Sequence, residues 1–255
     1  MCDLKKKTSL YPQLIAHRGA GLDAPENTLA AFQLGAKSGY RMFECDVKLS
    51  QDKELFLLHD TTLERTTNLT GEAKEHSWAQ LKTADAGSWH SALYQGEKLL
   101  HFGELVSFVL AQQYGLDIEI KPNKGEAYET GAAVANYLQQ SVGEFPADQS
   151  RFFLSSFEPE ALRGAKEAFP EIPRALLVDV WPKEMPEFWA LLDTLDCRGI
   201  ITNYRIITPE ILQQAHDSGR FVMVYTANEI GDIERLLKMG VDSVITDNMT
   251  AINTL

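Results

Sequence analysis

Eight short runs of apolar, largely β-branched residues recur along this 255-residue chain, each followed by a stretch with helical periodicity. The runs fall at 14–17, 42–48, 116–120, 152–156, 175–179, 199–203, 221–226 and 243–246. Helical patterns lie at 27–38, 103–114, 126–141, 158–168, 184–195, 208–218 and 229–239, with a short one near 248–254. Runs such as 175–178 and 221–224 are apolar at successive positions, so both faces of those strands must be covered. Strand–helix alternation builds either an open doubly wound sheet or a closed barrel. Eight repeats, with no Gly-x-Gly-x-x-Gly after the first run, favour an α/β TIM (β/α)8 barrel in which residues 1–255 form a single domain.

One interval breaks the rhythm. The second and third barrel strands are separated by residues 49–115, more than one crossover needs. Leu55 to His59 reads as a strand returning after an Asp52-Lys53 turn, and Ser77-x-x-Gln80 has the spacing of a capping box. Residues of about 49–101 therefore read as an inserted hairpin and small region over the barrel mouth, where long segments commonly carry function.

The formal charge of −12 argues against nucleic acid or an anionic membrane held by a general basic field. A small anionic substrate remains compatible, because a few cations or a metal reverse the sign locally. Cys2, Cys45 and Cys197 are odd in number and contain no Cys-x-x-Cys. Lys5-Lys6-Lys7 reads as a solvated tail, with no apolar leader after it and no later membrane-length run. The expectation is a reduced, cytoplasmic protein without stable membrane association.

In such a barrel, residues at the carboxyl ends of the strands form the site. The first strand delivers His17-Arg18, and Gly19 and Gly21 then let the backbone turn. Asn27 or Thr28 is placed to cap the first helix. Glu44 and Asp46 share one face of the second strand and Cys45 the other, where it packs. His59-Asp60 ends the hairpin, with Asp60 placed to orient the ring, and Glu119-x-Lys121 ends the third strand. Three converging carboxylates, Glu44, Asp46 and Glu119, call for a divalent cation, and hard oxygen ligands favour Mg²⁺ or Ca²⁺. His17 and His59 form a candidate acid/base pair. Arg18 and Lys121 are positive charges for a substrate anion, Lys121 having a structural ion pair with Glu119 as its plainer reading. Together these groups match the needs of phosphate-ester cleavage.

These residues, in this order, resemble the glycerophosphodiester phosphodiesterase family, especially its short cytoplasmic bacterial form. The resemblance is carried by His17-Arg18-Gly19, Pro25-Glu26-Asn27-Thr28, Glu44-x-Asp46-Val47, Ser50-x-Asp52, His59-Asp60, Leu63-x-Arg65-Thr66 and Glu119-Ile120-Lys121-Pro122. Leu154-Ser155-Ser156-Phe157, Tyr225-Thr226-x-Asn228 and the segment from Gly240-Val241-Asp242 to Thr246-Asp247 extend it along the chain. It implies a (β/α)8 barrel that hydrolyses glycerophosphodiesters to sn-glycerol 3-phosphate and an alcohol. It also implies metal ligation by Glu44, Asp46 and Glu119, acid/base work by His17 and His59, and phosphate binding by Arg18 and Lys121. The chain departs from the family at Tyr225, often Trp, at Leu99–Gly103, usually Ile-Pro-Thr-Leu-like, and at Asp247-Asn248-Met249.

Tyr225, Trp89 and Trp181 are candidates for an aromatic pocket wall, with Tyr225 the substrate-binding choice and packing within the insertion an equal reading for Trp89. His76, His90, His101 and His216 read as surface or packing residues, and Arg65 and Thr66 as braces of the insertion. Two rivals remain. One is a lysophospholipase D-like phospholipase on the same barrel, which would need an apolar entrance. The other is a catalytically silent glycerophosphodiester-binding protein, which would have no use for a paired acid and base.

Overall fold

The computed structural model describes residues 10–142 and 150–254. The Lys5-Lys6-Lys7 tail and Cys2 lie outside the described residues. Strands β1 (Leu14–Ala16), β2 (Met42–Leu49), β4 (Gly115–Ile120), β5 (Phe152–Ser156), β6 (Arg174–Val178), β7 (Gly199–Asn203), β8 (Phe221–Tyr225) and β9 (Ser243–Thr246) pair in parallel. The sheet closes where β1 pairs with both β2 and β9, giving a TIM barrel. A ninth strand, β3 (Leu55–Leu57), runs antiparallel along β2, its turn made by Lys53 at φ 66°.

Helices α1 (Leu29–Ser38), α3 (Phe102–Gln112), α4 (Ala127–Val142), α5 (Pro159–Ala168), α6 (Met185–Thr194), α7 (Pro209–Asp217) and α8 (Ile230–Met239) follow the barrel strands, and a 3₁₀ turn (Ala251–Asn253) follows β9. Local chemistry sets their ends. Thr28 caps α1 by accepting from Ala31 N, and His101 caps α3 by accepting from Gly103 N. Gly39 and Gly240 close α1 and α8 in the left-handed region.

The period of two splits each strand between two environments. On β2, Phe43, Cys45, Val47 and Leu49 face the helices in the main core, while Glu44, Asp46 and Lys48 alternate with them. The floor inside the barrel is apolar, built from Ile15, Met42, Phe153, Leu177, Ile201, Met223 and Ile245. Tyr11 plugs it from below, its ring 5.0 Å from Phe153 and 5.2 Å from Phe221. Charge is thereby confined to the carboxyl-end half of the interior.

Between β3 and α3 the chain forms a small satellite core of Phe56, Leu58, Leu63, Ala73, Leu81, Ala84, Ala86 and Leu99, with the short helix α2 (Trp78–Leu81) at its side. Gln80 Oε1 accepts from Ser77 N at 2.9 Å, the return half of a capping box. The segment is tied to the turn after β1: His90 bonds Leu22 O at 2.9 Å, and Glu97 accepts from Ala30 N.

Helices α4 and α5 meet through two glycines. A Cβ on Gly131 would lie 1.9 Å from Ala161 O, and one on Gly164 2.1 Å from Tyr128 O, both rigid backbone atoms. Gly131→Val is expected to lower the urea midpoint by the equivalent of about 1–3 kcal/mol through overpacking. An unchanged midpoint would show that the two helices separate without cost.

Candidate active site

Strand register assembles the site. β2 and β4 pair with Glu44 opposite Asp117 and Asp46 opposite Glu119. β1 pairs Ala16 with Phe43 and with Thr246, which sets His17 between Glu44 and Asp247. Glu44, Asp46 and Glu119 each present one carboxylate oxygen within 4.8 Å of the others. At an effective dielectric of about 20, two full charges at that spacing repel by roughly 3 kcal/mol. Burial and the Asp46 and Glu119 charges accordingly push Glu44 well above its ordinary value. Burial and Asp46 push Glu119 up to about 7. Asp46 goes the other way: burial opposes its charge, but Arg18, Lys121 and His59 hold it down to about 2.

The donors around the cluster are specific. Arg18 N donates to Glu44 Oε2 at 3.0 Å with its backbone at φ 50°, and Arg18 Nε lies 3.1 Å from Asp46 Oδ2. Asn27, also left-handed at φ 59°, donates to Asp46 Oδ2 at 2.8 Å and accepts from Asp46 N at 3.1 Å. Lys121 Nζ lies 2.8 Å from Glu119 Oε1 and 5.5 Å from the centre of the Phe157 ring. Glu44 Oε1 and Asp46 Oδ1 are buried with no hydrogen-bond donor among the described residues, and Lys121 provides the ion-pair contact of Glu119 Oε1. Three converging acceptors, two without donors, suit a hard divalent cation such as Mg²⁺ or Ca²⁺.

Both flanking histidines are held by an aspartate. His17 Nδ1 lies 2.7 Å from Asp247 Oδ1, and His59 Nδ1 2.7 Å from Asp60 Oδ1. Burial opposes the Asp247 charge, yet its bond to His17 keeps it below the ordinary value; as an ionised acceptor it places the ring proton on Nδ1. Nε2 of His17 then faces the cluster, 3.8 Å from Glu44 Oε2. Asn228 fixes Asp247 by donating to Oδ2 at 2.9 Å. Gly21 makes the approach possible, since a Cβ there would lie 2.3 Å from Asp247 Cα.

The structure brings His17, Arg18, Glu44, His59, Glu119, Lys121 and Tyr225 around one cavity of about 280 Å³, together with Asp117, Phe157 and Asp179. Asp46 lies beside it in the carboxylate cluster. Tyr225 Oη donates to Asp179 Oδ1 at 2.9 Å. Trp89 and Trp181 are not wall residues: their Nε1 groups donate to Ala86 O and Ile206 O, outside the cavity lining. Cys45 is buried on the outer barrel face, and burial pushes its thiol up. Sequence reasoning missed Asp247, Asn27 as a partner of Asp46, Glu26 and Lys48. For Lys48 the signal was present, because it continues the Glu44, Asp46 face by the same two-residue step.

Residues 17–251 match the model of the Glycerophosphoryl diester phosphodiesterase family. The chain is 30% identical over 235 residues to a glycerophosphodiester phosphodiesterase of Caldanaerobacter subterraneus subsp. tengcongensis, with 92% of this chain and 93% of the relative covered. Its structure is similar to that of an Oleispira antarctica phosphodiesterase in complex with the product sn-glycerol-3-phosphate, at a TM-score of 0.88 and 34% identity over 96% of this chain and 97% of the other. A glycerophosphodiester phosphodiesterase from Agrobacterium tumefaciens matches at a TM-score of 0.81 and 26% identity, over 96% of this chain and 100% of that one.

A second ionic bracket ties the insertion to the barrel. Arg65 bonds Asp60 Oδ2 at 2.5 Å and Glu26 Oε2 at 2.7 Å, while Glu26 Oε1 accepts from Arg18 at 2.8 Å. Arg65 and His59 hold Asp60 well below its ordinary value. Burial opposes the Glu26 charge, but Arg65 and Arg18 keep it below 4.5. Both folded values lie below the unfolded ones near ~4, so their stabilisation is complete above that pH and is lost as pH falls through the folded values. Arg65→Met should therefore lower stability at pH 7 and flatten its decline between about pH 5 and 3, read by urea midpoints. An unchanged slope would rule the bracket out as a source of acid sensitivity.

Proposed function

Because the chain belongs to the glycerophosphoryl diester phosphodiesterase family, and is a glycerophosphodiester phosphodiesterase by that membership, we propose that it hydrolyses its diesters to sn-glycerol 3-phosphate and an alcohol in a divalent-metal-dependent reaction. The observation that carries the reading is the carboxylate cluster flanked by two aspartate-held histidines. Glu44, Asp46 and Glu119 would hold Mg²⁺ or Ca²⁺, which when bound polarises a phosphoryl oxygen and offsets its charge. Support for the product comes from the Oleispira antarctica neighbour, whose bound product is sn-glycerol-3-phosphate.

In this reading Arg18 and Lys121 bind the phosphate anion. Burial opposes the charge of both, but the surrounding carboxylates keep both firmly protonated. His17 and His59, each with Nδ1 engaged by an aspartate, turn Nε2 toward the substrate. One ring takes a proton from the attacking water while the other gives a proton to the departing alkoxide. The P–O bond to the alcohol breaks as the P–O bond to the water oxygen forms; the first ring then releases its proton to solvent and the second regains one from solvent, which restores both. Asp247 and Asp60 keep the rings oriented. Tyr225 and Phe157 wall the cavity, their rings 6.0 Å apart.

A second reading has its own support. An apolar groove of about 570 Å³, lined by Pro159, Leu176, Val178, Val180 and Phe188, abuts the cavity at Phe157 and Leu177. It would take one acyl chain of a lysophospholipid, as a lysophospholipase D-like reaction on the same barrel requires.

Glycerol 3-phosphate release from glycerophosphocholine is expected with Mg²⁺ or Ca²⁺ and should vanish on chelation. A higher kcat/KM on lysophosphatidylcholine would favour the second reading. His17→Ala and His59→Ala should each lower kcat by roughly 10²–10⁴-fold with the thermal midpoint near wild type. Asp247→Asn should give a loss of comparable size, because the ring stays in place while its tautomer is no longer held. Wild-type turnover in His17→Ala would exclude that ring as acid or base.

A further inference from the structure

The described cavity is one of two lobes that meet at His59, Glu119, Lys121 and Phe157. The axial lobe, about 280 Å³, holds His17, Arg18 and Glu44 above the apolar floor. The side lobe, about 500 Å³ and more open, is lined by Lys48, Asp60, Thr61, Thr62, Pro122 and Glu158. Lys48 is the unexpected member. The residue is 2% exposed on β2, yet among the described residues its side chain forms no hydrogen bond or ion pair. It is one register step beyond the Val47–Ile120 pair, which sets it level with Lys121 just past the end of β4. Lys121 is matched by Glu119 at 2.8 Å, whereas Lys48 feels Asp46, Asp60, Glu119 and Lys121 without touching any of them. The residue is buried but its ammonium reaches the lobe without a protein partner, a partly desolvated charge where an apolar residue could fill the position instead.

We propose that the side lobe is the subsite for the alcohol half of the diester and that Lys48 selects hydroxylated, polyol head groups there. The inference rests on the diesterase reading above. Phosphate bound by Arg18 and Lys121 puts the two ester arms into the two lobes. The invariant glycerol arm is small and suits the axial lobe, while the variable alcohol takes the larger and more open one. The lobe alternates donors and acceptors: three N–H groups on Lys48, the hydroxyls of Thr61 and Thr62, and the carboxylates of Asp60 and Glu158. A hydroxyl both donates and accepts, so it satisfies each kind. A trimethylammonium group does neither: it meets the carboxylates by charge alone and leaves the Lys48 ammonium without an acceptor. Specificity of this kind comes from leaving a buried polar group unpaired with the wrong substrate.

The test compares kcat/KM for glycerophosphoglycerol and glycerophosphocholine in wild type, Lys48→Met and Lys48→Gln, all with Mg²⁺. Wild type should favour glycerophosphoglycerol, and Lys48→Met should lose about tenfold or more on that substrate while changing little on glycerophosphocholine. Its thermal midpoint should stay level or rise, since the methionine removes an unpaired charge; a purely structural lysine would lower it and depress both substrates together. Lys48→Gln, which keeps a donor, should recover part of the preference. Equal losses on both diesters would move the lobe to the glycerol arm and overturn the assignment, as would no change on either. A wild type that cleaves neither diester would overturn the diesterase reading itself. The same comparison would then be made by calorimetric binding of the two diesters, where equal affinity in wild type and Lys48→Met overturns the subsite and a preference lost in Lys48→Met sustains it.

Discussion

The constraint on which the structure depends is the crowding of Glu44, Asp46 and Glu119 inside a closed barrel. Water would normally dilute such repulsion, but here two of the three side chains are buried and the third nearly so. The chain answers with a cage of fixed donors. Arg18 contributes its backbone N–H to Glu44 and its guanidinium to Asp46, and it can do both because its backbone takes a left-handed turn. Asn27 uses the same backbone region to reach Asp46 with both ends of its amide. Such conformations cost about a kilocalorie or more in ordinary residues, and they persist where the surroundings over-determine them. Gly19 and Gly21 serve the same end, since a Cβ on Gly19 would meet Phe32 N at 2.8 Å.

That cage also explains the division of labour between barrel and insertion. His17 and Asp247 come from neighbouring strands, so their relation is fixed by β1–β9 register. His59 and Asp60 sit beyond the end of β3, where the sheet no longer determines the backbone. Arg65 replaces that control by clamping Asp60 to Glu26, which is already bound to Arg18. One arginine on each side of Glu26 thus couples the second histidine to the first strand. The insertion packs on its own apolar cluster, and its polar contacts with the turn after β1 hold it over the mouth.

Much of this was legible in the sequence because it is periodic. The barrel strands are apolar runs of ordinary length, and i, i+2 carboxylates on a buried strand announce one shared face. The expected strand at 42–48 ends within a residue of Met42–Leu49, and helix 229–239 within a residue of Ile230–Met239. Asp60 could be named as a partner of His59 because it is adjacent in the chain. Asp247 could not be paired with His17, 230 residues away, since only closure of the barrel makes β1 and β9 neighbours. Asn27 reads locally as a helix cap; Thr28 takes that role, which frees the Asn27 amide for Asp46. Trp181 illustrates the opposite error: an aromatic near a loop looks like a pocket wall, but its indole N–H is spent on a backbone carbonyl elsewhere, and for Trp89 the packing reading holds.

The alternation on β2 and β4 also reconciles a chain of net charge −12 with an anionic substrate. Reading up the interior face, β2 gives Glu44, Asp46, Lys48, while β4 gives Asp117 and Glu119 in register and the residue after it gives Lys121. Each two-residue step rises about 6.5–7 Å, so the acids form a lower tier and the lysines an upper one. Asp117, level with Glu44, accepts from Ser155 at 2.6 Å, and burial pushes it well above its ordinary value. The lower tier suits a cation and, in the upper tier, Lys121 suits the anion that the cation would share while Lys48 faces the adjoining lobe. Net charge elsewhere on the surface has little influence at this range, because screening removes it within about 8–10 Å. A two-residue period on two adjacent strands is therefore sufficient to stack attraction for a metal beneath attraction for a phosphate, in a protein whose overall field would repel the phosphate.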